Sequence, residues 1–471
     1  MHAPQPRIAG QPAAPATSSE PWRAPRGVVR AEPKPAAAPP ALPADVAARA
    51  GALSLTDVVD VALRNNPSTQ LSWAQARAGA ATYGAAAASY LPAVDASANA
   101  SMSSTTVGSS NGGAGQRSTI TPQVTLSYLL FDFGGRSGTI EAARDAAIAL
   151  DLTHNATLQN VALQVEGAYF TYRAQRELAR AAQLSLATAD TTVASARQRN
   201  KAGVATIADV LQAETQQAQV QLDLETAEGN QQIARGSLAQ AMGLPANTRY
   251  DVAPTADSVT VGVAGASVDT LINRALEGRP DLAAARTQIL QSQAQVRVAR
   301  SAELPSVTLG STVSKPISNH ANFTGINYGL TLGIAIPIFN LARPYNVMAA
   351  EAQVDASIAR TALLRTQVSQ QVYASYYALQ TAAQRARTTD VLIRSATASE
   401  AAARARYRAG VGTIVDLVTA QTALANARAQ QAQSRWTWAT SLAQLSHDVG
   451  VLGPRADTSI PAIPVTAGGP R

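Results

Sequence analysis

The sequence predicts a mostly helical α+β protein with a two-fold internal repeat, each repeat a β-hairpin plus long helices. Three observations predict this fold. A helical hairpin tip occurs twice, at residues 197–211 and 404–418, an offset of 207 residues. The hydrophobic period changes twice from about 3.6 to 2, as expected where helices give way to strands. Finally, residues 137–201 and 344–409 keep a helical pattern whose one proline, Pro344, stands in a first turn where proline is tolerated.

The first 50 residues are predicted to be a disordered lead rich in proline and alanine. Residues 1–43 hold 11 of the 25 prolines and lack the apolar segment of a signal peptide. The sequence therefore identifies neither the true N-terminus nor a signal peptide.

Composition excludes several classes of protein. Cysteine is absent, which removes disulfides, thiolate metal sites and a lipidated N-terminal cysteine. The net charge of +7 is thinly spread, so nucleic acid is not an expected partner. The four histidines are scattered and no phosphate-binding loop is present, so we expect no metal, no cofactor and no enzyme activity. No run of 18 apolar residues predicts a membrane-spanning helix.

The first repeat is predicted to occupy residues 51–245. It opens with a helix that starts at Ser54 or Thr56 and breaks near Asn66-Pro67. A β-hairpin over 92–130, a long helix over 137–201 and a helix over 206–242 follow, and Gly243-Leu244-Pro245 ends the unit.

A connector over residues 246–266 leads to the second repeat, which is predicted to occupy 267–450. The same order recurs as a helix, a β-hairpin over 305–338, a long helix over 344–409 and a helix over 413–449. Leu91-Pro92 and Leu304-Pro305, 213 residues apart, start the two hairpins. A flexible tail is predicted over 451–471.

Each hairpin alternates apolar with polar or small residues. The strands are about ten residues long, which is what a tilted strand needs to cross a bilayer. The apolar positions are predicted to face lipid, and they include Val124, Leu126, Tyr128, Leu330, Leu332 and Ile334. Outer-membrane lipid is therefore an expected partner.

Four strands cannot close a barrel, and lipid does not tolerate open sheet edges. Several chains must therefore close it together. Two copies give eight strands, whose interior fills with side chains, and three give twelve, which leave room for a lumen. The long helices would continue below the barrel as a helical tube.

Both helical hairpin tips show the residues that end one helix and begin another. Gly203 and Gly410 stand where a left-handed cap is expected. Thr206 with Asp209, and Thr413 with Asp416, have the spacing of a capping box. Capping alone explains these carboxylates, but a capping carboxylate can also face a lumen.

The order of these motifs resembles the TolC family of outer-membrane channel proteins over about residues 53–450. The resemblance depends on the repeat, the Leu-Pro strand starts, the segments 130–136 and 336–340 that follow the strands, and the tip at 407–416. It implies a homotrimer with a twelve-stranded transmembrane β-barrel, continued by a periplasmic α-helical barrel. It further implies that the tips dock a periplasmic adaptor, which joins an inner-membrane ABC or proton-driven pump.

The resemblance also implies roles at the tips. The implied adaptor contacts are Gly203, Val204, Thr206, Gly410, Val411 and Thr413. Asp416 resembles a carboxylate that rings the periplasmic entrance, and Tyr407 and Asp209 match a pair that links the tips when the entrance is shut. In the family a second acidic residue of this ring follows three positions later, where this chain has Thr419. An arginine that in the family adds to the link between the tips is replaced here by Gly412. We therefore expect weaker cation selectivity at the entrance ring, and closure of the entrance by different bonds.

The first functional hypothesis is a passive export duct, for efflux of a drug or metabolite or for type I secretion of a protein such as a toxin. The absence of cysteine favours the non-lipidated exporters, which include toxin secretion channels. The alternative is a soluble helical scaffold whose β-hairpins dock other proteins. The sequence does not identify the exported substrate or the pump. It also does not show whether the entrance rests open or closed.

Overall fold

A computed structural model of the chain describes residues 7–8, 11–12, 41–105, 115–253, 262–318, 325–452 and 465–467. The helices are α1 (Ala44–Ala47), α2 (Leu55–Asn65), α3 (Pro67–Ala87), α4 (Gly135–Lys201), α5 (Ile207–Ala241), α6 (Val268–Gly278), α7 (Pro280–Ser301), α8 (Ala342–Arg408) and α9 (Ile414–Asp448), with a 3-10 turn at Ala88–Tyr90. The strands are β1 (Arg7–Ile8), β2 (Gln11–Pro12), β3 (Ala93–Thr105), β4 (Gly115–Phe131), β5 (Gly262–Ala264), β6 (Ser306–Ser314), β7 (Ile317–Ser318), β8 (Asn327–Ala335) and β9 (Val465–Ala467).

The same order of elements occurs twice. The series α2, α3, β3, β4, α4, α5 is followed by α6, α7, β6, β8, α8, α9. Helices α4 and α8 each have 67 residues, and α5 and α9 each have 35. At 1.5 Å per residue the two long helices each extend about 100 Å.

Local chemistry accounts for the break between the first two helices of each repeat. Asn66 and Arg279 both precede a proline and both have an extended backbone, with a ψ of 127°. Proline disfavours the helical conformation in the residue before it and is itself well suited to a first helical turn. The Asn66 side chain then accepts a hydrogen bond from the Ser68 amide at 2.9 Å and so caps α3.

The lead and the tail differ from the sequence prediction. Disorder through residue 50 is wrong for α1, because the Val46 side chain is 1% exposed and packs in the core of the first repeat. Strands β1 and β2 also lie in that lead and pair with each other. Strand β9 lies in the predicted flexible tail, where it pairs antiparallel with β5 of the connector.

The main sheet is antiparallel in the order β3-β4-β6-β8. Strand β7 also pairs with β4, near the N-terminal end of β4. Strands β6 and β8 have nine residues, close to the predicted ten, but β3 has 13 and β4 has 17. Strand β4 is longer because it pairs with β3 from Gly115 onwards, before pairing with β6 begins at Gln123. At its other end, a bulge between Leu129 and Phe131 lets pairing with β6 continue to Val307. Among the described strands, β3 and β8 each pair on one side and form the edges of the sheet.

The long helices bury one side against different neighbours along their length. Near the sheet, α4 packs against α3 and α7, and α8 packs against α7. Farther from the sheet, α4 packs against α5 and α9, and α8 packs against α9. Two apolar clusters lie midway, one around Val165, Leu238 and Met242 and one around Val372 and Leu445.

Among the described residues, none of the helices combines the length and the apolar composition that crossing a membrane would need.

Candidate functional site

The tip joining α4 to α5 (residues 202–206, the first tip) has the geometry of a Schellman cap. Gly203 has a φ of 74°, a left-handed value that favours glycine. Its amide donates to the Asn200 carbonyl at 2.9 Å, and the Val204 amide donates to the Arg199 carbonyl at 3.0 Å. These bonds satisfy carbonyls that the end of α4 would otherwise leave unpaired.

The tip joining α8 to α9 (residues 409–413, the second tip) repeats this geometry. Gly410 has a φ of 78°, and its amide donates to the Tyr407 carbonyl at 3.1 Å. The predicted left-handed caps are therefore confirmed at both tips. The side chains of Val204 and Val411 are 64% and 69% exposed, so each tip presents an apolar residue to solvent.

Both predicted capping boxes are confirmed as well. The Asp209 carboxylate accepts from the Thr206 amide at 2.9 Å, and the Asp209 amide donates to the Thr206 hydroxyl at 3.3 Å. Thr413 and Asp416 make the same two bonds at 3.2 and 3.1 Å. Each aspartate thus satisfies an amide at a helix N-terminus, where negative charge is favourable.

The capping box of Asp416 is expected to depend on pH. Hydrogen bonds from the Thr413 side chain and amide hold the pKa of the exposed Asp416 carboxyl below its ordinary value of 3.8. A carboxyl with a lowered folded pKa stabilises the fold above its unfolded pKa, and this contribution is lost as the pH falls through the folded pKa. We expect hydrogen-exchange protection in the first turn of α9 to be constant above about pH 4 and to fall below it.

Asp416→Asn is the matched control for this experiment, because the amide keeps the shape of the carboxylate and does not titrate in this range. Its protection in the first turn of α9 should be lower at neutral pH and independent of acidification. An Asp416→Asn chain whose protection still fell with the parent's midpoint would show that another group titrates.

The two tips pack against each other. A small core joins them, and Val193, Val210, Tyr407, Ile414 and Val418 are among its buried members. The Gln421 amide group donates to the Thr192 hydroxyl at 2.9 Å, which ties α9 to α4 above this core.

Arg199, in the last turn of α4, makes a polar contact with the end of α8 beside the two tips. Its guanidinium lies 4.9 Å from the centre of the Tyr407 ring and donates from Nη1 to the Arg408 carbonyl at 3.3 Å. A cation over an aromatic face, placed at the negative end of α8, is favourable on both counts. Arg199 was not predicted as a site residue from the sequence, where its only signal was a basic side chain in the last turn of α4.

Tyr407 and Asp209 are not hydrogen-bonded, although the resemblance implied a link between them. Tyr407 is 4% exposed, and its hydroxyl has no hydrogen-bond partner among the described residues. Burial, with a smaller contribution from the Asp209 charge, raises the pKa of this hydroxyl. The Asp209 carboxylate is held by Thr206 in its own capping box, so Arg199 provides the contact between tips instead.

At the other end of the molecule, strand register places the apolar residues on one face of the sheet. Directly paired residues lie on the same face. Across the four strands the apolar rows are Ala96, Val124, Val313 and Tyr328, then Val94, Leu126, Ser311 and Leu330, then Tyr128, Leu309 and Leu332, and then Val307 and Ile334. Ser311 is the one polar residue in these four rows.

The opposite face is polar or small. Its rows include Gln123 with Ser97 and Ser314, Thr125 with Asp95 and Thr312, and Ser127 with Gly310 and Thr331. The predicted lipid-facing residues thus share one face, but they differ in exposure. Leu330, Leu332 and Ile334 are 75%, 64% and 65% exposed, whereas Leu126 and Tyr128 are half-buried. Tyr128 is covered by the Arg136 guanidinium, 5.8 Å from its ring.

Within the described part of the chain, no group of three or more histidine, aspartate or glutamate side chains is placed to hold a metal ion. The arrangement offers an amphipathic sheet at one end, capped helical tips at the other, and long packed helices between them.

Comparison with known proteins identifies this architecture. The model of the outer membrane efflux protein family matches residues 58–244 and 271–451, which is most of the chain. The chain is 28% identical over 380 residues to "Protein CyaE" of Bordetella pertussis, covering 80% of this chain and 79% of that protein. It is also 28% identical to the pyoverdine export outer membrane protein OpmQ of Pseudomonas putida, covering 66% of each chain.

Solved structures share the fold. The CmeC outer membrane channel of Campylobacter jejuni aligns with a TM-score of 0.75 at 20% identity, covering 86% of this chain and 87% of that one. The outer membrane protein VceC of Vibrio cholerae aligns with a TM-score of 0.72 at 19% identity, covering 84% of this chain and 96% of that one. The chain belongs to the outer membrane efflux protein family, and it is an outer-membrane channel that extends into the periplasm and serves efflux or type I secretion systems.

Proposed function

We propose that three copies of this chain form a passive export duct. Each copy contributes four strands to a twelve-stranded barrel in the outer membrane and two helical hairpins to a periplasmic helical barrel. The observation that carries this proposal is the four-stranded sheet, which is apolar on one face and ends in the edges β3 and β8. Lipid does not tolerate free strand edges, so copies must close the sheet.

The choice of three copies follows from the polar face. Eight strands enclose an interior that side chains fill, whereas twelve leave a lumen. The small and hydroxyl-bearing residues of this face, such as Gly310, Thr312 and Thr331, suit a wetted pore lining.

The two repeats occupy separate parts of the chain and have the same order of elements. We propose that residues 51–245 and 267–450 arose by duplication of one unit, joined by the connector 246–266. The matching helix lengths and the tip glycines 207 residues apart support this division.

The tips lie farthest from the sheet, and this position supports an orientation towards the inner membrane. They dock a periplasmic adaptor through Gly203, Val204, Thr206, Gly410, Val411 and Thr413, and the adaptor joins an inner-membrane pump that supplies the energy. Exposure of Val204 and Val411 supports an apolar contact there. Asp209, Tyr407 and Asp416 lie at the periplasmic entrance. The chain itself performs no chemistry.

Electrophoresis of outer-membrane fractions tests the assembly. An unheated sample is expected to run as a trimer and a boiled sample as the 48.7 kDa chain. The purified trimer should give discrete conductance steps in a planar lipid bilayer. A monomer in the soluble fraction, without conductance, would instead support the scaffold alternative.

A further inference from the structure

Each repeat contains a contact between the end of its last helix and the residue that precedes the proline of its second helix. In the first repeat, the Asn66 amide group donates to the Ala241 carbonyl at 3.0 Å. In the second, Nη1 of Arg279 donates to the Asp448 carbonyl at 3.2 Å. Ala241 and Asp448 are 207 positions apart, and Asn66 and Arg279 are 213 positions apart. The same contact is thus made by a neutral side chain in one repeat and by a charged one in the other.

Four titratable side chains surround this contact in the second repeat. They are Arg279, Asp281, His447 and Asp448. The equivalent positions of the first repeat hold the uncharged residues Asn66, Ser68, Gln240 and Ala241. The side chains of Arg279, His447 and Asp448 are 9%, 13% and 5% exposed. The second repeat therefore buries a charged cluster where the first repeat has a neutral contact.

The charge of Arg279 is used by Asp281. Its Nε and Nη2 atoms donate to the two carboxylate oxygens of Asp281 at 3.1 and 2.7 Å, and its Nη1 atom donates to Gln371 on α8 at 2.9 Å. Burial would raise the pKa of Asp281, but hydrogen bonds from Arg279 and a backbone amide, with a smaller contribution from charge on His447, hold this pKa below its ordinary value. Since Arg279 and Asp281 compensate each other, the carboxylate of Asp448 needs another cation.

The ion-pair partner of the Asp448 carboxylate is His447. The Oδ1 atom of Asp448 lies 3.1 Å from Nδ1 of the ring and accepts from the Gln444 amide group at 2.9 Å. Buried carboxylates are stable where a cation or several hydrogen-bond donors compensate the charge. Two carboxylates and one guanidinium leave a negative charge in this cluster, and a protonated His447 makes the cluster neutral.

The second ring nitrogen of His447 reaches the first repeat. Nε2 lies 2.8 Å from Oδ1 of Asn160 on α4, and the neighbouring Gln159 donates to the Gly450 carbonyl at 3.3 Å. Both ring nitrogens therefore face oxygen atoms, and the protonated ring is the form with two N–H groups to donate. Turning the Asn160 amide would suit a neutral ring, but Asp448 would then be buried beside an uncharged imidazole.

The surroundings of the ring come from four helices. The charged groups are Asp448 on α9 and, at the start of α7, Arg279 and Asp281. Helices α4 and α8 contribute amide side chains to the cluster, namely Gln159, Asn160 and Gln371. The protonation state of His447 is thus the property of this cluster that sets its net charge near neutral pH.

We propose that His447 is a protonation-dependent clasp between the two repeats. The protonated ring donates to Asp448 at the end of α9 and to Asn160 on α4 at the same time. Loss of the proton removes one of these two donors and leaves the Asp448 carboxylate uncompensated, so the end of α9 loosens from α4. The clasp lies within one chain, so this inference does not depend on how many copies form the channel.

Hydrogen exchange of the purified channel tests the clasp between about pH 5 and pH 8, the range in which histidine changes charge. A proton that favours the folded state stabilises it at low pH, and this contribution is lost as the pH rises. We expect protection of residues 442–452, after correction for intrinsic exchange rates, to fall about tenfold across this range, as for the loss of a hydrogen bond between charged groups. Protection that does not change with pH would overturn the proposal.

Two neutral variants identify the titrating pair. His447→Gln cannot change its charge, so its protection should be independent of pH and as low as that of the parent protein at the upper end of the range. Asp448→Asn keeps an acceptor for Gln444 but removes the buried charge, so its protection should stay high throughout. Should both variants lose protection equally at every pH, the cluster would be a packing contact and the clasp would be wrong.

His154→Gln is the matched control, because His154 is the other histidine in the part of the chain that the structure describes. It lies on α4, where Nδ1 of its ring is 2.8 Å from the Ser72 hydroxyl. This variant should keep the pH dependence of the parent protein at the end of α9. A pH dependence that vanished in His154→Gln and persisted in His447→Gln would assign the titration to His154 and refute the clasp.

Discussion

Replacing Gly410 with proline is expected to abolish export while leaving the protein inserted in the outer membrane. Proline requires a φ near −65°, but Gly410 has a φ of 78°. Proline also removes the amide that donates to the Tyr407 carbonyl at 3.1 Å. The second tip would therefore lose its cap and its orientation, and adaptor docking would fail. Export of the natural substrate and the amount of outer-membrane trimer would be measured in the same cells.

Gly325→Pro is the matched control, because Gly325 lies just before β8 at the opposite end and a Cβ there would meet nothing within 4 Å. It should export normally. Normal export by the Gly410→Pro protein would remove the tip from the docking proposal, whereas loss of the inserted trimer would mean that the tip is needed for assembly.

Placing arginine at Leu330 is expected to destabilise the inserted protein by about 2–4 kcal/mol, the cost of a cation on the lipid face of a barrel near the middle of the bilayer. Leu330 lies near the middle of β8 on the apolar face and is 75% exposed in the single chain. Urea unfolding in phospholipid vesicles would measure the free-energy difference from the parent protein.

Thr331→Arg tests the orientation of the sheet, since Thr331 is the next residue and its side chain lies on the polar face. We expect this variant to insert normally and to shift the channel's selectivity towards anions, because the added charge would line the lumen. If Thr331→Arg were the more costly substitution, the proposed assignment of the lipid and lumen faces would be reversed.

The helix caps and the strands could be predicted from the sequence because their signals are local. Gly203 and Gly410 adopt left-handed conformations because the residue that ends a helix in this way is best a glycine. Thr206 and Thr413 cap the next helices because a hydroxyl and a carboxylate three residues apart satisfy the first amides. The alternation that predicted the strands is also local, since it depends on successive side chains pointing to opposite faces.

Features that depend on contacts between residues far apart in the chain could not be predicted from the sequence. The disordered lead was wrong at α1 because Val46 finds an apolar core made by residues far along the chain. Strand β4 continues past ten residues because β3 pairs with its first part and β6 with its last part, past a bulge. Arg199 contacts Tyr407 and Arg408 across 208 and 209 residues, which no spacing rule could indicate.

The sequence by itself determined the repeated plan, the helical and strand periods, the caps and the apolar face of each hairpin, because each depends on neighbours within a few residues. The tertiary structure decided which of two equivalent helix surfaces, one on α5 and one on α9, is buried within the chain. Ile207 and Ile414 each follow a capping threonine at the start of a helix, yet one is 63% exposed and the other 4%. The difference arises because α9 has α4 of its own chain beside it, whereas the corresponding apolar residues of α5 stay exposed in the single chain.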